Sequence, residues 1–88
     1  MKQSKTFKTL FDDAKKNPEY WAAGLHIEIT VAICDEMKRQ GVTQAELARR
    51  IGVNRAAISR WLGDANLCLL SIGKMCSALG LELKVIKR

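Results

Sequence analysis

The sequence is poor in the residues on which several classes of protein depend. It has one histidine, one proline and three cysteines, and no two cysteines form a Cys-x-x-Cys pair. A zinc site takes four ligands in paired spacing, so no metal is expected. The odd number of cysteines favours reduced, mostly buried thiols, as in a cytoplasmic protein, over a disulfide framework.

Long apolar runs are lacking as well. The most apolar stretch, residues 21–34, contains His26 and Glu28 and is too short to span a membrane. The opening residues, Met1-Lys2-Gln3-Ser4-Lys5, are polar, which does not fit a secretory signal. No nucleophile–base set and no glycine-rich phosphate loop stands out, so we expect neither an enzyme nor a cofactor.

Acidic residues are scarce relative to basic ones. Fifteen Lys and Arg face nine Asp and Glu, which gives a formal charge of +6 on 88 residues. A chain of this length forms one domain with a modest core, and its excess of positive charge favours a polyanionic partner. General solubility is the alternative explanation of that charge.

The spacing of apolar residues predicts an all-α bundle of about five helices, followed by a short strand. Phe7, Leu10, Phe11 and Ala14 form one helical stripe, and later segments repeat this periodicity. Leu25 and Leu69 are among the residues expected to face the core. The predicted helices cover residues 7–16, 18–40, 43–51, 55–62 and 69–79.

The ends of these helices carry recognisable signals. Asn17 before Pro18 suits a helix start, and Gly41 suits a helix end. Thr43 and Glu46 have the spacing of a capping box, in which each side chain accepts a hydrogen bond from a free backbone N–H. Asn54 is placed to cap the helix that begins at Arg55.

The alternation of residues 81–87 differs from the helical pattern. Leu81, Leu83 and Val85 alternate with Glu82 and Lys84, which predicts a strand. Because a lone strand is not stable, we expect it to pair with the same strand of a second subunit.

Residues 43–62 carry the functional signal. Leu47, Ile51 and Ile58 would form an apolar wedge between two short helices, Ala48 is small where those helices come closest, and Gly52 allows a sharp turn. This segment, with its motif Thr-Gln-x-x-Leu-Ala-x-x-x-Gly-Val, resembles the helix-turn-helix of the Xre family of lambda-repressor-like and Cro-like DNA-binding proteins. The resemblance extends over roughly residues 29–79.

The resemblance implies how the chain would meet DNA. In that family the second helix of the motif lies in the major groove. Arginine can bond guanine through two parallel hydrogen bonds, and alanine can contact a thymine methyl group. The alternative is that these polar residues are only the solvated faces of helices. The residues expected to read bases are Arg55, Ala56, Ser59 and Arg60, and those expected to bind phosphates are Gln44, Asn54, Arg50 and Lys38.

Two functions fit this interpretation. The first is a sequence-specific transcriptional regulator, a repressor that acts as a homodimer through its last helix and the strand at 81–87. The second is an antitoxin that binds a toxin protein and represses its own operon, because Lys16-Asn17-Pro18-Glu19-Tyr20 looks like the front of HigA-like antitoxins. The N-terminal helix or arm, residues 1–17, would then contact the toxin.

Overall fold

A computed structural model describes residues 16–87 of the chain. The predicted helix over 7–16 lies, except for its last residue, outside the described residues. The described part contains four helices and no strand, which agrees with a predominantly helical fold. The helices are α1 (Pro18–Gln40), α2 (Gln44–Ile51), α3 (Arg55–Gly63) and α4 (Leu69–Leu79).

Local capping explains where α1 begins and ends. The Asn17 side-chain oxygen accepts a hydrogen bond from the Glu19 backbone N–H at 2.9 Å, and Pro18 occupies the first helical turn. At the other end Gly41 takes a left-handed conformation with φ of 70°, and its N–H bonds the carbonyl of Lys38. Both boundaries match the prediction from sequence.

The four helices share one core. Ile33 of α1, Leu47 of α2, Ile58 of α3 and Met75 of α4 are fully buried. The second half of α1 packs on α4, and α2 packs on both α3 and α4. Each helix therefore contributes at least one side chain to the same apolar centre, which fixes the position of α2 and α3 relative to the rest.

Three expectations about burial are wrong. Leu25 and Leu69 are exposed, and so are the thiols of Cys34 and Cys68, while Cys76 is buried. Leu25 of α1 and Leu69 at the start of α4 border one hollow of about 200 Å³, so little packs over either side chain. Helix α1 is also much longer than the other helices. Its 23 residues span roughly 34 Å at 1.5 Å per residue, whereas the other helices have 8 to 11 residues. The first turn of α1 therefore extends past the rest of the described bundle, whereas Leu25 and Ile29 lie beside Leu69.

The predicted strand at 81–87 is also wrong for the described chain. These residues form no strand, and Val85 and Ile86 are largely exposed. The alternation is real, but a strand needs a neighbour to accept its backbone hydrogen bonds, and residues 16–80 supply helices only. Of residues 81–87, only Leu81 forms a backbone hydrogen bond to the helices, from its N–H to the carbonyl oxygen of Cys76 at 2.8 Å.

Although α1 is long, it does not qualify as a membrane helix. Within residues 16–87 no helix combines the length and the apolar character that crossing a membrane requires.

Candidate nucleic-acid interface

The turn between α2 and α3 is tight and glycine-dependent. Gly52 has a φ of 91°, a conformation that side chains with a Cβ rarely adopt. The N–H groups of Gly52 and Val53 both bond the carbonyl of Ala48, at 2.8 and 3.0 Å. Ala48 itself is 3% exposed, so its small side chain permits close packing at this point. The angle between the two helices is thus fixed by backbone geometry and packing together.

Asn54 caps the start of α3. Its side-chain oxygen accepts a hydrogen bond from the Ala57 N–H at 2.8 Å, as predicted for a helix cap. The amide nitrogen of Asn54 keeps its two donor hydrogens, which are suited to a phosphate oxygen. A single side chain can therefore stabilise the helix and present donors at its positive end.

One face of α3 is buried and the other is exposed. Ala57 and Ile58 are buried, and the opposite positions are open to solvent. With 100° between successive residues, the exposed positions fall within about 140° of the helix surface. The structure therefore brings together all four residues predicted to read bases: Arg55, Ala56, Ser59 and Arg60.

Three other arginines are engaged in ion pairs with glutamates of their own helix. Arg39 bonds Glu36, with its Nε 2.9 Å from Oε1. Arg49 and Arg50 share Glu46, at 2.6 and 3.0 Å. Arg55 and Arg60, by contrast, form no ion pair with any residue from 16 to 87. Within this part of the chain, no carboxylate neutralises the positive charge on α3.

The arginines lower the pKa of the glutamates with which they pair. Hydrogen bonds from Arg49 and Arg50 lower the pKa of Glu46 from 4.5 to about 2. Hydrogen bonds from Arg39 and Gln40 lower the pKa of Glu36 to about 2 as well. Both carboxylates therefore remain charged through the whole neutral and mildly acidic range.

The capping box predicted at α2 is half confirmed. The Thr43 hydroxyl oxygen accepts a hydrogen bond from the Glu46 N–H at 3.1 Å. The Glu46 carboxylate, however, accepts bonds from Arg49 and Arg50. These ion pairs were not among the predictions from sequence. Their spacings of three and four residues indicate them, because such side chains come together on a helix.

The predicted phosphate residues do not all lie in one place. Arg50 turns toward α4, with its guanidinium 3.4 Å from the carbonyl oxygen of Ala78, and it lines a hollow of about 430 Å³ together with Lys74. Lys38 and Gln44 instead line a second hollow of about 390 Å³, which Leu62 at the end of α3 also borders. The structure therefore groups Lys38 and Gln44 beside α3 and places Arg50 on the other side of α2.

Comparison with known proteins agrees with this arrangement. The model of the helix-turn-helix family HTH_3 matches residues 35–86, which is more than half of the chain. No curated protein matches the chain, and no solved structure does so either. The matched range includes the last six residues of α1, all of α2, α3 and α4, and most of the tail. The chain therefore belongs to the helix-turn-helix family of DNA-binding regulators.

Proposed function

We propose that the protein is a sequence-specific transcriptional repressor that reads the major groove with α3. The observation that carries this proposal is the exposed face of α3, where two arginines that have no ion-pair partner among residues 16–87 flank small side chains. Arg55 and Arg60 supply bidentate donors for guanine, and Ala56 leaves room for a thymine methyl group. Ser59 adds a neutral donor between them.

The phosphate contacts in this proposal follow from the same geometry. Gln44 and Asn54 lie at the starts of α2 and α3, where helix dipoles favour an anion. Lys38 adds a cation beside Gln44. Arg50 is a weaker candidate than the sequence suggests, because it already bonds Glu46 and Ala78. Exposed ion pairs are weak, however, so a phosphate can compete for Arg50.

The experiment that tests this proposal is selection of binding sites from a random duplex DNA library. Wild-type protein is compared with Arg55→Ala/Arg60→Ala and with Arg39→Ala/Arg49→Ala, a control that removes the same charge from paired arginines. We expect wild type and control to enrich one site and the α3 variant to lose that preference. If all three enrich the same site, α3 does not read the bases.

A dimer completes the proposal, because one short helix reads few base pairs. Support comes from an exposed apolar patch, the tail patch, around the start of α4 and the tail. Leu69 is 84% exposed, and Val85 is fully exposed. A two-fold symmetric site with half-sites about 34 Å apart is the expected outcome of the selection. The third member of the tail patch is Leu83, which lines one hollow with Leu69 and Val85.

A second candidate function is that of an antitoxin which also binds a toxin protein. The observation in its favour is the first half of α1, which lies outside the range matched by the family and exposes Leu25 and Ile27. Co-purification with the product of an adjacent gene, lost on deletion of residues 1–16 while DNA affinity is kept, would support it. If the product of no adjacent gene co-purifies, the antitoxin function is contradicted and the regulator function remains.

A further inference from the structure

The first half of α1 carries a second apolar face. Its members are spaced alternately by four and three residues, a pattern that keeps them on one side of a helix. The buried residues Ile33 and Met37 lie on another side, so α1 is apolar in two directions. We call this second face the outer stripe, and it consists of Tyr20, Gly24, Ile27, Val31 and Cys34.

Three members of the outer stripe, Ile27, Val31 and Cys34, are exposed. Ile27 is 59% exposed and Val31 is 52% exposed. At Gly24 a Cβ would have no atom within 4 Å, and a hollow of about 420 Å³ surrounds this position. A glycine inside a helix costs about 1 kcal/mol relative to alanine. The stripe thus combines exposed branched side chains with a notch at Gly24 that is large enough to admit an aromatic ring.

One edge of the outer stripe is acidic. Glu28 and Asp35 lie about 60–80° around the helix from the centre of the stripe, and both are exposed. Neither forms an ion pair with another residue in the range 16–87. An occupant that satisfies the whole surface must therefore be apolar along one side and basic beside it.

We propose that the outer stripe is the docking site for residues 7–15 of the same chain, folded back as the first arm of a helical hairpin. These residues contain Phe7, Leu10, Phe11 and Ala14 at helical spacing. Residues 1–16 carry five lysines and two aspartates, which complements the acidic edge. The segment leads directly into Asn17, the cap of α1, so no linker is needed.

The lengths agree with such a hairpin. A helix over residues 7–16 is about 15 Å long, and Tyr20 and Val31 lie about 16 Å apart along α1. Counting outward from the turn at residues 16–17, Phe11 is level with residue 22, about 3 Å along the axis from Gly24, and Phe7 is level with residue 26, next to Ile27. The ring of Phe11 then occupies the notch that the missing side chain of Gly24 leaves.

A second copy of the chain fits this face less well. It would bring the same stripe and the same acidic edge, and the other edge of the stripe, at Ala23 and Thr30, carries no charge. Two copies would therefore leave Glu28 and Asp35 without a counter-charge. The N-terminal segment supplies that charge within one molecule.

Hydrogen exchange on the full-length protein, followed by mass spectrometry, tests the proposal. The stripe variant is Ile27→Glu/Val31→Glu, and the control is Ala45→Glu, which places a charge at an exposed position on α2. We expect the amides of residues 7–15 to exchange at least about 10-fold more slowly in wild type and control than in the stripe variant. The rates in wild type should not change with protein concentration.

Three outcomes would overturn the proposal. Rapid exchange of residues 7–15 in the isolated wild-type protein would leave the stripe open for another protein. Protection that increases with protein concentration would assign the stripe to a second copy. Protection that survives in the stripe variant would place the segment elsewhere.

A second variant separates docking from the stability of α1. Gly24→Gln removes an unfavourable glycine and fills the notch with a polar side chain. We expect slower exchange within α1 and faster exchange of residues 7–15. Equal protection of residues 7–15 in Gly24→Gln and wild type would contradict docking of Phe11 at the notch.

Discussion

At the scale of single residues, the basic side chains fall into two groups. Arg39, Arg49 and Arg50 are paired with glutamates one turn away on the same helix, whereas Arg55 and Arg60 have no such partner in the described chain. Their formal charges are equal, but their availability to an anion differs. A phosphate must compete with a carboxylate for the first group and only with water for the second.

This difference predicts the salt dependence of DNA binding. Replacing Lys38, which lies beside Gln44 and has no ion-pair partner among residues 16–87, removes one of the proposed phosphate contacts. Lys38→Ala is therefore expected to lower the slope of log K against log salt by about 1. Arg39→Ala, a neighbouring change at a paired residue, is the control and should alter the slope little. Equal slopes for the two variants would show that Lys38 does not contact a phosphate.

The pairing of Glu46 predicts a dependence of stability on pH. Its pKa is about 2 in the folded protein and near 4.5 when unperturbed, so its charged form is favoured by folding. The stabilisation is complete above about pH 4.5 and is lost as the pH falls toward 2. Urea unfolding of wild type and Glu46→Gln should show a difference in unfolding free energy that shrinks over this range. In an Arg49→Ala/Arg50→Ala background the dependence should disappear.

At the scale of the element, α3 is short and depends on its cap. Asn54→Ala removes the bond to the Ala57 N–H and should cost about 1 kcal/mol of unfolding free energy. Asn54→Ser keeps a capping oxygen and should restore most of this stability, but it lacks the amide donors offered to phosphate. Chemical denaturation and DNA titration of both variants separate the two roles. If Asn54→Ser recovers affinity together with stability, Asn54 acts only as a cap.

Helix ends were predictable because their causes are local. Asn17 and Gly41 are recognised from a few neighbouring residues, and the bounds of α1 and α4 agree with the sequence. The grouping of the α3 residues was predictable for the same reason, since periodicity alone decides which side chains share a face. The end of α3 differs by one residue, because Gly63 continues the helix.

Features that depend on distant partners were not predictable in this way. The alternation at 81–87 looks the same whether or not a neighbouring strand exists, and the described chain offers none. Leu69 has the periodicity of a core residue, yet it lies at the start of α4 where little packs over it. The direction of Arg50 toward Ala78 depends on how α2 and α4 meet, which no spacing in the sequence specifies.

At the scale of the whole molecule, the proposed dimer depends on the tail patch. Leu69→Glu/Val85→Glu places two charges in a surface that is apolar in wild type. We expect sedimentation to show a dissociation constant for the dimer at least about 10-fold higher than in wild type. Ala45→Glu, an exposed change on α2, is the control. A dimer that tolerates the double variant must be held by another surface.

The division of α3 into a packed side and an open side has an evolutionary consequence. Ala57 and Ile58 belong to the core, and the Gly52 turn sets the angle of the helix, but the exposed side chains contribute to neither. Substitutions at these exposed positions can therefore accumulate without loss of the fold. A duplicated copy of such a protein is free to acquire a new target while its scaffold stays under the same selection.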